Sequence, residues 1–130
     1  MTQEITLVLA GLEAAITQLI TDKVDLGTAN AEGILRIKSG AGTPLVDVVL
    51  ANPAFATGTG SIRDLLGVPL QGTATAAGTA ALAEVLDRDE NIVFTGITTV
   101  IGGNGFLELD KVEIEIGDVI TVQNMTVQYP

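Results

Sequence analysis

The sequence predicts a mainly β protein: an antiparallel, jelly-roll-like β-sandwich of about seven to eight short strands, carrying one N-terminal amphipathic α-helix. Three observations lead there. The apolar residues recur at helical spacing only up to residue 24 and at a period of two afterwards. Turn residues then return about every eight to twelve positions, and no second helical pattern lies between the strands, as it would in a parallel α/β sheet. Two units are expected: residues 1–27, a helix packing on the domain or on a partner subunit, and residues 28–130, the β-sandwich.

The helix is read over residues 5–24. Ile5, Leu9, Leu12, Ile16 and Leu19 step by four and three, and Leu7, Val8, Ala15 and Ile20 widen the stripe. Thr2 is placed to cap it, Glu4 lies at the positive end of the helix dipole, and Gly27 follows where a left-handed residue ends a helix. The same stepping is a heptad pattern, short of the length that defines a coiled coil by itself. The stripe is therefore either a packing face for the chain's own domain or a self-association seam.

The first strand is ILRIK, 34–38, ended by Ser-Gly-Ala-Gly; the second is LVDVVLA, 45–51, stopped by Asn52-Pro53, and the two are neighbours. Residues 53–64 read as a loop, and 65–71 as a weak strand that Pro69 confines to a sheet edge. Residues 80–87 and 91–98 form a hairpin turned by Arg88-Asp89-Glu90. The turn Gly102-Gly103-Asn104-Gly105 leads into strands at 106–110 and 112–116, and Gly117-Asp118 turns the chain into a last strand at 119–128.

Composition narrows the function. The chain of 130 residues supports one domain, and with 47% apolar but only 3% aromatic residues its core must be Val, Ile, Leu and Ala. Cysteine and histidine are both absent, which removes disulfides, thiolate chemistry, the commonest general base and the commonest metal ligand. No enzyme activity and no cofactor are expected. Sixteen acidic against six basic residues give a net charge of −10, which repels phosphate backbones and anionic lipid, so neither nucleic acid nor membrane is an expected partner. The first twenty residues carry Glu4 and Glu13 and no basic stretch, so no signal peptide is expected, and no apolar run reaches the roughly 18 residues of a membrane span.

Four groups of residues invite a chemical reading. Asp87, Asp89 and Asn91 fall at the first, third and fifth ligand positions of a calcium-binding loop. The match stops there, because Ile92 stands where that loop needs Gly and Thr98 where it needs a bidentate Glu; the cluster is read as a solvated hairpin turn, with no metal site expected. The glycine runs at 58–60 and 102–105 lack the Lys-Ser/Thr and the helix that phosphate loops require. Glu113 and Glu115 share one side of a strand near Glu108 and Asp110, without the aromatic platform of a glycosidase, and form an acidic strip that guards an edge. The two serines, Ser39 and Ser61, have no histidine to activate them, and Lys38 and Ser39, adjacent on a strand, point apart.

From residue 45 onward the phrases "VDVVLANPAF", "GTATAAGTAALAEVLDRDENIVFTGITT", "IGGNGFLELD" and "IGDVITVQNMTV" occur in that order. The chain resembles small β-rich virion proteins of tailed bacteriophages, of the head decoration or capsid cement type, and the short helix and the strand "GILRIKSG" fit the same pattern. Leu82 stands where members of that pattern often carry an aromatic residue, which implies a smaller core at that point. The resemblance implies a structural role on the outer surface of the capsid, with the major capsid protein and other copies of the chain, as a homotrimer, for partners; it supplies no catalytic residue. The alternative is a tail or fibre-associated module that binds a host surface ligand through the loops 52–64 and 99–105.

Overall fold

The computed structural model describes residues 9–57, 62–100 and 107–128. Within them the chain is mainly β, with one helix, α1 (Leu9–Val24). Nine strands follow: β1 (Ile34–Ser39), β2 (Pro44–Val49), β3 (Ile62–Asp64), β4 (Leu70–Thr73), β5 (Gly78–Leu86), β6 (Ile92–Val100), β7 (Leu107–Leu109), β8 (Glu113–Ile114) and β9 (Val119–Gln128).

Two sheets share β6. Its first half pairs antiparallel with β5, in the order β2-β1-β5-β6; its last three residues leave β5 and pair with β7, which continues to β9. The β1–β2 neighbourhood and the β5–β6 hairpin are those the sequence predicts. The β6–β7 ladder departs from the expected antiparallel pattern: Thr98, Thr99 and Val100 run parallel to Leu107, Glu108 and Leu109. It arises because β6 runs on beyond its register with β5 and enters the second sheet.

The strand expected at 65–71 is instead a break between two others. β3 and β4 both pair with the same edge of β9, Asp64 opposite Thr126 and Leu70 opposite Val122. Between them the chain leaves the ladder at 66–69, where Pro69 has no N–H to donate. Similarly, the strand expected at 112–116 shrinks to β8, which pairs only with Gly78 and Thr79. The sheet path returns on itself where Val46 bridges Ala74 and the Thr75 N–H donates to the Leu45 carbonyl at 2.8 Å.

A single buried cluster draws on both sheets, including Leu35, Ile37, Val48, Val85, Leu107, Leu109, Ile120, Val122 and Met125. It is aliphatic, as the composition requires, with Phe55 and Phe94 in contact at its border, ring centroids 6.0 Å apart. Each fully buried Leu or Ile contributes about 1.5–3 kcal/mol. Leu82 does not belong to this cluster: it is 40% exposed, so the smaller residue there leaves the core unchanged, contrary to the expectation.

α1 docks on β3, β6 and β9, and over its last two turns the buried face lies beside the hydrophobic stripe. Of the expected stripe, Ile5 lies outside the described residues with Thr2 and Glu4, the side chains of Leu9 and Leu12 are not described, Ile16 is half-buried, and Leu19 is 62% exposed. Among the described side chains of α1 the buried ones are Thr17, Thr21 and Val24, one residue per turn. Thr21 can be buried because its hydroxyl donates to the Thr17 carbonyl at 3.0 Å. Between these two threonines, Gln18 accepts from the Arg63 Nε at 2.9 Å, and Arg63 is 2% exposed. A buried guanidinium on β3 needs oxygen partners, so the helix turns a polar flank to the sheet and its Leu19 outward.

Where the path closes, Gly72 is fixed by space. A Cβ there would stand 2.6 Å from the Asp47 carbonyl oxygen and 2.9 Å from the Val46 Cγ1, so β4 can cross β2 only on a residue without a side chain. Gly72→Ala is expected to destabilise by about 1–3 kcal/mol in a denaturant titration. Gly40→Ala, whose nearest neighbour would be the Ala81 Cβ at 3.9 Å, is the comparison and should change stability by no more than about 0.5 kcal/mol.

Candidate functional site

The charge cluster at 87–91 forms a tight turn closed by its own side chains. The Asp87 N–H donates to the Asn91 carbonyl at 2.9 Å, and Glu90 adopts a positive φ of 63°. Asp87 Oδ1 accepts the N–H groups of Asp89 and Asn91, both at 2.9 Å, and its Oδ2 accepts from the Asn91 side-chain amide at 3.3 Å. Asp87 and Asn91 therefore spend their polar atoms on the turn itself, as aspartate and asparagine do when they replace backbone acceptors.

Asp89 points away from that turn, to a segment 60 residues earlier. Its Oδ1 accepts the backbone N–H groups of Thr28 at 2.9 Å and Ala29 at 2.8 Å. Arg88 grips the same segment on both sides. Its N–H donates to the Leu26 carbonyl at 2.9 Å, its carbonyl accepts from the Asn30 N–H at 2.9 Å, and its Nε donates to the Asn30 carbonyl at 2.7 Å. Gly27 sits in the grip with φ +132°, and a Cβ there would come within 2.7 Å of the Arg88 Cβ. The hairpin tip is solvated as expected, with Asp89, Glu90 and Asn91 exposed, and it is also a clamp on the linker that follows α1.

The three calcium candidates thus do not converge on one point: Asp87 and Asn91 meet each other across the turn, and Asp89 faces the linker. No group of three or more acidic side chains among the described residues is placed to hold a metal ion. On the neighbouring sheet surface Arg36 donates to both oxygens of Asp47, at 2.9 and 3.1 Å, and to Glu90 at 3.0 Å. Lys38 pairs with Glu84 at 3.0 Å. The hydrogen bonds that Arg36 donates to Asp47 and Glu90 raise its pKa further above the ordinary guanidinium value.

The other candidates also have local work. Glu113 and Glu115 are exposed on either side of buried Ile114, on one side as the alternation predicts. Beside them lies a shallow hollow of about 540 Å³ lined by Ala77, Gly78, Thr79, Lys111, Glu113, Ile114 and Glu115. Lys111 is committed to Asp118 at 2.6 Å, and Asp118 also accepts the Glu115 N–H at 2.8 Å, which hold its carboxyl below the usual range. Ser39 Oγ accepts the Thr43 N–H at 3.2 Å and so shapes a turn. Ser61 and both glycine runs, 58–60 and 102–105, lie outside the described residues.

Two carboxylates of the linker region respond oppositely to pH. The Thr28 and Ala29 N–H groups lower the Asp89 pKa, so its contribution is present above the unfolded value of about 4 and lost as pH falls through the folded value. Burial raises the Asp25 pKa even though its Oδ1 accepts the Ala54 N–H at 3.0 Å. Its contribution is full below the unfolded value and declines as pH rises through the folded one. Linker attachment should be tightest near pH 4, by roughly that reference value. In denaturation or amide-exchange profiles from acid to neutral pH, Asp89→Asn should flatten the acid side and Asp25→Asn the neutral side. An unchanged profile in both variants would contradict the assignment. Addition of calcium should leave the melting temperature where a chelator leaves it, since a ligand of the native state alone would raise it.

No family model matches the chain, and no curated protein or solved structure matches it.

Proposed function

We propose that the protein is a structural virion component of a tailed bacteriophage, a head decoration protein seated on the outer surface of the capsid, and that it works by contact alone. Its partners are the major capsid protein and other copies of the chain. The ordered phrases from residue 45 onward first point to this reading. The observation that carries it is a β body closed on itself, with large apolar side chains held out on the helix and linker: Leu19 and Leu26 are 62% and 60% exposed. Apolar groups presented on a clamped support suit a permanent partner surface.

The closed ladder also refines the mode of contact. β9 is paired on both edges, with β7 on one and with β3 and β4 on the other, and segment 54–56 covers β3 through the Ala56 N–H to the Asp64 carbonyl at 2.8 Å. Adding a partner's strand to these edges would require breaking existing ladder bonds. Side-chain faces are therefore the surfaces that meet the shell, with each Å² of apolar area removed from water giving about 25 cal/mol before ordering costs. An excess of carboxylates suits the outside of a particle, away from packaged DNA.

A reconstruction of the intact particle tests the reading. Density for this fold on the head exterior is the expected result; its presence in purified tails alone, or its absence from purified particles, would overturn it.

A further inference from the structure

A chain of net charge −10 repels its own copies over most of its surface. The outward face of the β2-β1-β5-β6 sheet is the exception. Its register sets Asp47 opposite Arg36, Arg36 opposite Glu84 and Lys38 opposite Leu82. Two of the chain's six cations lie here and are tied down within the face, Arg36 to Asp47 and Glu90, and Lys38 to Glu84. The Lys38–Glu84 pair lies flat, its side chains only 22% and 13% exposed, whereas Asp47 and Glu90 reach further out around Arg36, at 47% and 50%. By contrast, the turn region around Lys111 sets one cation among Asp110, Glu113, Glu115 and Asp118.

Around this ladder stand apolar side chains without cover. Val49, opposite Ile34, is 56% exposed; Ile92, opposite Leu86, is 57% exposed; Leu82 is 40% exposed. Two cations against three carboxylates leave this face with a net charge of only −1, and exposed apolar groups around it form the surface on which two acidic copies repel each other least.

We propose that this sheet face is where one copy of the chain meets another. The proposal rests on the self-association part of the preceding reading and holds wherever in a particle the protein sits. A face that meets its own copy closes as a two-fold pair, so the expected species is a dimer, in place of the homotrimer the resemblance implies. Four strands about 4.8 Å apart and six residues long at about 3.3 Å each make a patch of roughly 19 by 20 Å, well under the ~800 Å² per partner of a standard interface. Pairing is therefore weak in free solution, at about 0.1–1 mM protein, and strengthened when copies are held side by side.

Sedimentation velocity over that range tests it. The wild type should dimerise, and more readily in about 0.5 M than about 0.02 M NaCl, because salt screens the net repulsion. Val49→Lys with Ile92→Lys should weaken dimerisation at least tenfold, although each lysine lowers the net negative charge; Leu82→Lys is the second variant should the first melt abnormally. Leu19→Lys, on α1, should dimerise like the wild type. A monomer at about 1 mM in both salts would overturn the proposal. So would a trimer, or an association that Leu19→Lys removes and the sheet variants leave intact. None of these results bears on whether the protein is found on the head, which the particle reconstruction decides separately.

Discussion

Two backbone N–H groups of the helix linker end on one carboxylate oxygen of Asp89, and the course of the chain between α1 and β1 depends on that contact. The linker would otherwise be a polar stretch, Thr28-Ala29-Asn30-Ala31-Glu32, with no apolar side chain large enough to anchor it. Asp89 and Arg88 supply the acceptors and donors its backbone lacks, and Gly27 provides the room for them to approach. From this fixed point the chain runs back through Asp25, held to Ala54, into a helix whose Thr17–Thr21–Val24 face meets the sheet. The hairpin tip is thus structural in a specific sense: it converts an appended helix into part of the domain.

The second constraint is closure. With β6 shared by both sheets and β2 joined to the chain after β4, the ladder bonds are largely used within the molecule. Closure of this kind protects strand edges, the task assigned from sequence to the acidic strip at Glu113 and Glu115. Those carboxylates, Glu113 within β8 and Glu115 just after it, stand exposed on a two-residue strand that pairs with β5 alone among the described residues. The interactions proposed above are left to exposed side chains, among which Leu19, Leu26, Val49 and Ile92 stand.

Much of the fold was legible in advance. The strands β1, β2, β5, β6 and β9 fall where alternation and turn residues put them, and the aliphatic core follows from a composition almost without rings. Other features depended on distant partners. The break between β3 and β4 is set by two separate stretches of β9, and the parallel β6–β7 pairing by how far β6 outruns β5. Leu82 alternates like a core residue but stands on the outward row with Glu84. The stripe through Ile16 and Leu19 is visible in the sequence, yet a buried Arg63 selects the flank beside it.

The cluster at 87–91 divides along the same line. By itself the sequence determined that these residues turn a hairpin, because Asp87 and Asn91 bond within five residues of chain and those contacts form wherever the segment is placed. Only the tertiary structure decided what Asp89 and Arg88 do, because their partners arrive from residues 26–30, brought there by the pairing of β1 with β5. Helix, strand and turn follow from periods of a few residues, which the sequence displays directly. Which oxygen meets which N–H, and which face of a helix is covered, follows from packing between segments some sixty residues apart, which no local period encodes.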